Sequence, residues 1–319
     1  MLLLDGLPLP DRGNLEVRSV LNCGGFINRS FRLTSGGCNY HLKLTSDAHS
    51  LRGLERWRTL SASLCERYLA PAMRGWIEIP GTSLAGPLFD WVGGTPPDAV
   101  HGVVRDLSTA AVGRLHADHL FARDLRQLGD AVTSCAEAYR ATYHERFVED
   151  LKLVRAEPPP FIATKLLEWM TEEAGEMARR ADESAAFAAP ADVATHRDLW
   201  LDNLLVTPDG ALFILDWDEM GLGDPMMDWA MLSGPSRSRV APAKEADLPD
   251  SDFSAAQRER FAHYARASVL DWIIDPLADW VDAAREPEHG AAVRESNRRV
   301  FEDALACYRK LYRVPGGLT

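Results

Sequence analysis

The stretch from Thr195 to Leu232 reads THRDLWLDNLLVTPDGALFILDWDEMGLGDPMMDWAML and places carboxylates at the ends of apolar segments. Within it, NLLVT and ALFILDW flank the turn sequence PDG, a pattern that predicts a β-hairpin over 203–217. If its strands are buried, their ends can hold polar groups on a rigid edge. The stretch therefore predicts a site of charged chemistry at the end of this hairpin.

Two spacings in this stretch predict a metal site. Asn203 follows Asp198 by five residues, and Asp216 follows Asn203 by thirteen. The hairpin would bring Asn203 and Asp216 together, and their oxygens suit Mg²⁺, which binds one or two carboxylates together with phosphate oxygens and water. Asp198 is then free to accept a hydrogen bond from a substrate hydroxyl. Asp218 is either a second metal contact or an exposed neighbour.

The composition excludes several classes of protein. The chain has 319 residues, is 46% hydrophobic and carries a net charge of −12, so it can form one large or two modest domains. This charge disfavours nucleic acid as a partner and suits a small ligand, including a cationic one. The five cysteines form no CxxC pair, which indicates reduced thiols in a cytoplasmic protein. Neither a signal peptide nor an apolar run of the ~20 residues that span a bilayer is evident, so no membrane partner is expected.

The chain changes character near residue 93. Before it, β-strands are expected over 15–22 and 31–44, the latter as two strands joined at 35–37, and a helix over 50–69. Gly93 and Gly94 precede Thr-Pro-Pro and mark the break. The helices expected beyond it cover 99–120, 131–156, 162–187, 254–285 and 289–313. A polar, proline-rich loop or lid is expected over 233–252.

These motifs resemble the aminoglycoside phosphotransferase and choline kinase superfamily, whose members typically read HGDLxxxNxLV, then IDW(D/E), then GDPxxDLA. The counterparts here are HRDLWLDNLLV, ILDWDE and GDPMMDWA. The resemblance implies an α+β, two-lobed protein-kinase-like fold. Its small β-rich N-lobe would cover 1–93 and the nucleotide. Its larger, mainly helical C-lobe would cover 94–319 and carry the catalytic loop, the metal site and the acceptor site.

The resemblance also implies roles for the residues of the opening stretch. Asp198 would be the catalytic base that orients the acceptor hydroxyl, and Asn203 and Asp216 would bind Mg²⁺. Asp202 is expected to be solvated. The resemblance implies structural support for three further residues, His196, Asp224 and Asp228. In the superfamily, the aspartate that matches Asp228 braces the catalytic loop through backbone hydrogen bonds.

Residues of the N-lobe are implied in nucleotide binding. Gly24 and Gly25 occupy the position of the loop that covers the phosphates, although a glycine pair is also common in simple turns. Lys43 is the only lysine before Lys152, and it matches the third-strand lysine that contacts the phosphates.

A helical glutamate should pair with this lysine, either Glu55 or, as the alternative, Glu66. The segment AGPLFDWVGG resembles the link between the lobes, where the adenine would meet backbone groups, although an ordinary core strand explains it equally well. Its implied contact residues are Asp90, Trp91 and Val92. His116 is expected to be a packed structural histidine.

Two departures from familiar patterns shape the predicted activity. Arg197 stands where the superfamily usually has glycine. Gly223 follows Asp216 after seven positions, whereas protein kinases insert roughly two dozen residues of activation segment, so a small-molecule acceptor is favoured. We expect Mg²⁺-dependent transfer of the γ-phosphate of ATP or GTP to a hydroxyl of an antibiotic, amino alcohol or amino sugar. The alternatives are a catalytically inactive nucleotide-binding scaffold and a protein kinase.

Four aspartates at spacings of four, four and three share one face of the helix predicted over 254–285, namely Asp271, Asp275, Asp279 and Asp282. One interpretation is a solvated acidic face. The other is an electronegative wall in which Asp271 and Asp275 hold a cationic acceptor and Trp272 adds an aromatic contact.

Overall fold

The computed structural model describes residues 9–10, 14–20, 29–97, 102–249, 253–285, 290–312 and 314. The chain divides into two compact units. One comprises the described residues within 1–97, 101–115 and 203–220, and the other those within 116–202 and 221–319. The chain therefore passes between the units at more positions than the predicted boundary at residue 93.

Most strands belong to the first unit and most helices to the second, a segregation that is typical of the predicted α+β class. The strands are β1 (Glu16–Val20), β2 (Arg29–Ser35), β3 (Cys38–Leu44), β4 (Met73–Glu78), β5 (Ala85–Asp90), β6 (Thr133–Ser134), β7 (Pro190–Ala191), β8 (Val193–Thr195), β9 (Leu204–Val206), β10 (Leu212–Ile214) and β11 (Gly221–Gly223). The helices are α1 (Ala48–Arg67), α2 (Gly102–Ala117), α3 (His119–Gln127), α4 (Cys135–Tyr139), α5 (Glu145–Ala156), α6 (Thr164–Glu183), α7 (Pro225–Leu232), α8 (Ala255–Asp282) and α9 (Gly290–Leu311). A π-helical turn, Arg140–His144, joins α4 to α5. None of the described helices is long and apolar enough to cross a membrane.

The first unit is built on an antiparallel five-stranded sheet in the order β1-β2-β3-β5-β4. Leu33, Leu42 and Leu88 are fully buried on one face of it, as the alternation of apolar residues in the sequence predicts. Gly36 and Gly37 join β2 to β3 with φ angles of 56° and 77°, in the left-handed region that glycine adopts without strain. The predicted pair of strands with a tight turn is confirmed.

The hairpin of the opening stretch also belongs to the first unit. Strands β9 and β10 pair antiparallel, with Leu204 opposite Ile214 and Val206 opposite Leu212. Gly210, at a φ of 85°, supplies the left-handed residue in the turn between them. The predicted hairpin is confirmed, and its last paired residue, Ile214, stands two positions before Asp216.

The second unit is mainly helical and is organised around α8, which packs against α5, α7 and α9. Ser254 and Gln257 form a capping box at its start, where each side chain accepts a hydrogen bond from the backbone N–H of the other. Val269, Ile273 and Leu277 are fully buried along it. The helix predicted over 254–285 is thereby confirmed.

One helix prediction is wrong. The described part of the segment 99–120 forms two helices, since α2 ends at Ala117 and α3 begins at His119. Asp118 causes the break because its Oδ1 accepts hydrogen bonds from the backbone N–H groups of Leu120 and Phe121, both at 3.0 Å. A short acidic side chain that caps the next helix in this way starts a new element.

Candidate active site

A buried lysine on β3 lies between two carboxylates in the first unit. The side chain of Lys43 is 5% exposed, and its ammonium group donates to Asp216 Oδ1 at 3.1 Å and to Asp218 Oδ2 at 2.9 Å. Burial acts to lower the pKa of Lys43, but the two carboxylates outweigh it and raise that pKa above its ordinary value. The ammonium group therefore stays charged at every physiological pH.

The backbone after β10 directs both carboxylates. Asp216 has φ 55° and ψ 59°, a left-handed conformation that aspartate tolerates better than most residues. A 3₁₀ turn over Trp217–Glu219 follows, fixed by the buried indole of Trp217, whose Nε1 donates to the carbonyl of Ile214 at 2.8 Å. Asp216 remains 32% exposed, whereas Asp218 is buried. Asp216 is therefore the more accessible of the two to a ligand.

The predicted pair between Lys43 and a glutamate of α1 is not formed. Glu55 and Glu66 are both exposed on that helix, and Asp218 takes the place beside the ammonium group. Helix geometry explains the difference. Gly53 packs so closely on the 217–219 turn that a Cβ there would lie 2.3 Å from the carbonyl oxygen of Asp218. At 100° per residue, the positions of both glutamates point away from this contact.

Asn203 precedes β9 and stands at the same open end of the hairpin as Asp216. Its carbonyl accepts a hydrogen bond from the backbone N–H of Leu215 at 2.8 Å, which places its backbone opposite the residue before Asp216. Among the described residues no three His, Cys, Asp or Glu side chains are grouped to hold a metal. An amide and one or two carboxylates nevertheless fit Mg²⁺ that arrives with nucleotide phosphates, because Mg²⁺ usually keeps few protein ligands.

The loop that carries Asp198, in the second unit, is braced by a buried aspartate of α7. Asp228 Oδ2 accepts from the backbone N–H of His196 at 2.9 Å and from Nε2 of His116 at 2.9 Å, and Oδ1 accepts from the backbone N–H of Arg197 at 2.9 Å. Burial opposes ionisation of Asp228, but these hydrogen bonds, led by that of His116, lower its pKa. Asp228 thus fixes the backbone that leads into Asp198.

Asp198 itself is half-buried and follows two braced residues. Its backbone N–H donates to Nδ1 of His196 at 3.3 Å, and His196 is fully buried. Asp224 has a different task. It caps α7 by accepting from the backbone N–H of Met226 at 3.1 Å, and it accepts from Nε of Arg260 on α8 at 2.6 Å. Its contacts are structural.

Arg197 has a φ of 68°, in the left-handed region. This conformation gives a physical reason for the glycine usual at this position in the superfamily, because a Cβ disfavours it. The guanidinium group of Arg197 donates to the carbonyl of Leu222 on β11. That strand is also held by Asp130, whose Oδ2 accepts from the backbone N–H of Leu222 at 2.9 Å.

The acidic face of α8 is solvated only at its end: Asp271 is buried and Asp275 and Asp279 are half-buried, whereas the side chain of Asp282 is 43% exposed and pairs with Arg285. Asp271 is 3% exposed and forms an ion pair with Arg146 of α5. Together with Asp150 of α5 it belongs to a group that we call the acidic cluster, comprising Asp150, Asp271, Asp275 and Asp279. Burial, followed by the neighbouring carboxylates, raises the pKa of Asp150 to about 7 and that of Asp279 to about 8. Burial also raises the pKa of Asp271 to about 7, even with Arg146 beside it.

Asp202 was expected to be solvated, and this prediction is also wrong. It is half-buried, and its Oδ2 accepts from the backbone N–H of Arg237 at 3.0 Å. Burial raises its pKa. Sequence reasoning missed this contact because Arg237 is 35 positions away, in a segment without regular structure.

The residues predicted to contact the adenine of the nucleotide lie at the end of β5 in the first unit. The carboxylate of Asp90 is engaged by Arg74, at 2.8 and 2.6 Å. Trp91 and Val92 are half-buried, and the backbone N–H of Trp91 donates to the carbonyl of Asn39 at 3.2 Å. Gly24 and Gly25 lie outside the described residues.

His41 is a polar residue near this segment that sequence reasoning missed. It stands two positions before Lys43 on β3 and therefore on the same face of the sheet. Its ring lies 6.3 Å from the rings of Phe89 and Trp91, and burial lowers its pKa to about 4, so it is neutral. His41 could have been identified from the sequence, because a residue two positions before a strand lysine lies on the same face of the sheet.

A sheet with a buried, carboxylate-paired lysine, together with a braced HxDxxxxN loop, defines a phosphoryl-transfer enzyme of the protein-kinase-like fold. The model of a family described as "Phosphotransferase enzyme family" matches residues 20–272, and the chain belongs to this family. It is therefore a phosphotransferase. No curated protein sequence matches the chain significantly.

Solved structures of such enzymes share the fold. A spectinomycin phosphotransferase in complex with ADP and spectinomycin is 12% identical, with a TM-score of 0.56 over 91% of this chain and 92% of its own. The GDP and kanamycin complex of APH(2")-IIia is 14% identical, with a TM-score of 0.55 over 91% and 93%. A Plasmodium vivax ethanolamine kinase is 12% identical, with a TM-score of 0.54 over 93% and 83%. Identities this low establish the fold alone.

Proposed function

We propose that the protein transfers the γ-phosphate of ATP or GTP to a hydroxyl group of a small molecule that also carries amino groups. The observation that carries this proposal is the buried ion pair between Lys43 and the hairpin-end Asp216. A charged lysine held in place supplies fixed positive charge for phosphate oxygens, and preorganised charge is the main requirement of phosphoryl transfer. Nucleotides in two of the solved relatives support a nucleoside triphosphate as donor.

Asp198 acts on the acceptor in this proposal. Its carboxylate accepts a hydrogen bond from the acceptor hydroxyl and so orients the oxygen toward the γ-phosphorus. The oxygen forms a bond to phosphorus, the bond from the γ-phosphorus to the bridging oxygen breaks, and the hydroxyl proton passes to the Asp198 carboxylate. Asp228 contributes indirectly, because it holds the backbone of His196 and Arg197.

Asn203 and Asp216 are the residues that would hold Mg²⁺. When bound, Mg²⁺ neutralises charge on the phosphate oxygens. Asp216 is suited to this role by its exposed fraction, whereas the buried Asp218 is committed to Lys43. We therefore assign metal binding to Asn203 and Asp216, and to Asp218 the fixing of the ammonium group.

The acidic cluster supports an amino-bearing acceptor. Among the described residues, Oδ2 of Asp150 is buried without a hydrogen-bond partner, and Asp275 is half-buried beside it. An ammonium group would satisfy these oxygens and lower the cost of keeping several carboxylates together. Trp272 is half-buried with its ring 6.0 Å from that of Trp200, so it offers an aromatic edge. Kanamycin and spectinomycin in the solved relatives support such acceptors.

The test is a screen for nucleotide-dependent phosphorylation, with ATP and GTP as separate donors. Each amino-bearing alcohol is matched with the analogue that lacks the amino group and the analogue that lacks the hydroxyl. The proposal expects product from the parent compound, a higher KM without the amino group, and no product without the hydroxyl. Equal KM values with and without the amino group would contradict the acceptor class. An inactive nucleotide-binding scaffold is disfavoured because Lys43, Asp198, Asn203 and Asp216 are all retained.

A further inference from the structure

A tight turn over 236–239, which we call the Arg237 turn, lies in the segment predicted as a loop or lid. The backbone N–H of Ser236 donates to the carbonyl of Arg239 at 2.8 Å, and the N–H of Arg239 donates to the carbonyl of Ser236 at 3.1 Å. The hydroxyl of Ser236, which is buried, lies 3.0 Å from that of Ser238. These bonds close the turn on itself, so the direction of the Arg237 backbone N–H is fixed.

Arg237 connects two parts of the second unit. Its backbone N–H donates to Asp202 Oδ2 at 3.0 Å, and Asp202 stands four residues after Asp198. Its guanidinium Nη1 donates to Oδ1 of Asn297 on α9 in a longer contact of 3.4 Å. Asn297 is fully buried, and its Nδ2 donates to Asp279 Oδ2, also at 3.4 Å. The contacts run from the catalytic loop through the Arg237 turn to α9 and α8.

The position of the Asp202 carboxylate costs free energy, because a charged group is partly buried. Burial raises its pKa, which shows that its surroundings disfavour the charged form. A solvated aspartate in the 3₁₀ turn Leu201–Asn203 would avoid this cost, but it would leave the Arg237 N–H without this acceptor. The bond between Asp202 and Arg237 therefore restrains the backbone that follows Asp198.

We propose that Asp202 and Arg237 are positioning residues for phosphoryl transfer, and that their bond holds the catalytic loop in its working conformation. The inference rests on the proposed function, in which Asp198 orients the acceptor. It predicts a larger effect on kcat than on nucleotide binding, because the restrained backbone leads directly from Asp198, whereas Asn203, next to Asp202, is only one of the two residues assigned to the metal of the nucleotide. A misplacement of about 1 Å at a reacting group costs up to about 10²-fold in rate, so a loosened loop should be measurable.

The kinetic test uses hydrolysis of Mg·ATP and Mg·GTP, in which water replaces the hydroxyl acceptor. Asp202→Ala removes the hydrogen-bond acceptor, whereas Asp202→Asn keeps an oxygen of similar size and position. We expect Asp202→Ala to lower kcat about tenfold with the nucleotide KM within about twofold of wild type, and Asp202→Asn to keep at least about half of kcat. Arg239→Ala is the matched control, because Arg239 is exposed in the same turn, and it should leave both values unchanged. Equal kcat values for the Ala and Asn variants of Asp202 would overturn the proposal.

Backbone amide hydrogen exchange tests the bond without turnover. Exchange over 198–203 and 236–239 should be faster in Asp202→Ala than in wild type and near wild type in Asp202→Asn. Unchanged exchange in Asp202→Ala would show that the bond does not hold the loop and would overturn the inference. A wild-type protein that hydrolyses neither nucleotide and phosphorylates no acceptor would instead overturn the proposed function, and with it the kinetic role given to Asp202.

Discussion

At the scale of single residues, Arg197 shows how the loop that leads into Asp198 tolerates a left-handed backbone conformation. A residue with a Cβ pays about 1–2 kcal/mol in the left-handed region, and the Asp228 and Leu222 contacts offset that cost. Arg197→Gly removes both the backbone strain and the guanidinium contact with Leu222. Arg197→Ala removes only that contact and keeps the strain.

The expected order of stability is therefore wild type, then Arg197→Gly, then Arg197→Ala, with about 1 kcal/mol between the two variants. Urea unfolding of all three proteins measures the order. In ordinary positions alanine is the more stable residue, so an alanine variant at least as stable as the glycine variant would contradict the assigned strain.

Substitutions of the two carboxylates beside Lys43 should have different effects, one mainly on stability and the other mainly on nucleotide binding. Asp218→Asn replaces a buried carboxylate beside Lys43 with a neutral amide, and hydrogen bonds to charged groups contribute about 1.5–3 kcal/mol, so the unfolding free energy should fall by up to about that amount. Asp216→Asn should change stability less, because Asp216 is one-third exposed, but it should weaken Mg²⁺-dependent nucleotide binding. Thermal unfolding and calorimetry with and without Mg²⁺ measure both effects. The reverse pattern would exchange the roles of the two residues.

At the scale of elements, the packing of α5 and α8 creates a pH dependence. The pKa values of Asp150 and Asp279 are about 7 and about 8, above the ordinary value near 4 that they have in the unfolded chain. The folded protein then binds more protons than the unfolded chain between about pH 4 and 8, so this contribution to stability falls as pH rises through that window. The charged groups that act on the two aspartates are Arg146, Glu149, Arg237, Asp271, Asp275 and Asp282.

Asp279→Asn removes one of these titrations. The variant should gain stability relative to wild type as pH rises from 5 to 8, and its melting temperature should change less across that range. Asp303→Asn, an exposed position on α9, is the matched control and should follow wild type. Parallel melting-temperature profiles for wild type and Asp279→Asn would contradict the assigned desolvation of Asp279.

At the scale of the whole molecule, local patterns were enough to predict the elements but not their partners. The hairpin, the β2–β3 turn and α8 follow from apolar periodicity and turn residues, which are properties of neighbouring positions. The burial of Asp271 depends on Arg146, which lies 125 positions away, and a helical face does not reveal what covers it. The same limit applies to Asp218, whose contact with Lys43 spans 175 positions.

The site divides in the same way. The spacing of Asp198, Asn203 and Asp216 indicates phosphoryl transfer, and it could be found in the sequence because one loop and one hairpin hold all three residues. The partner of Lys43 could not be predicted, since it depends on which face of α1 packs on the 217–219 turn. The packing of Gly53 against Asp218 settles that question physically, and no periodicity in the sequence encodes it.

The role of Asp198 is decided by comparing wild type with Asp198→Ala and Asp198→Asn. Each protein is assayed for transfer of labelled γ-phosphate from Mg·ATP and Mg·GTP to a hydroxyl acceptor, and its affinity for the same nucleotides is measured by calorimetry. We expect both variants to lose at least about 10²-fold in kcat, in line with the contribution of a positioned base, while nucleotide affinity stays within about threefold of wild type. Wild-type turnover in Asp198→Ala, or loss of nucleotide binding in step with activity, would contradict the account.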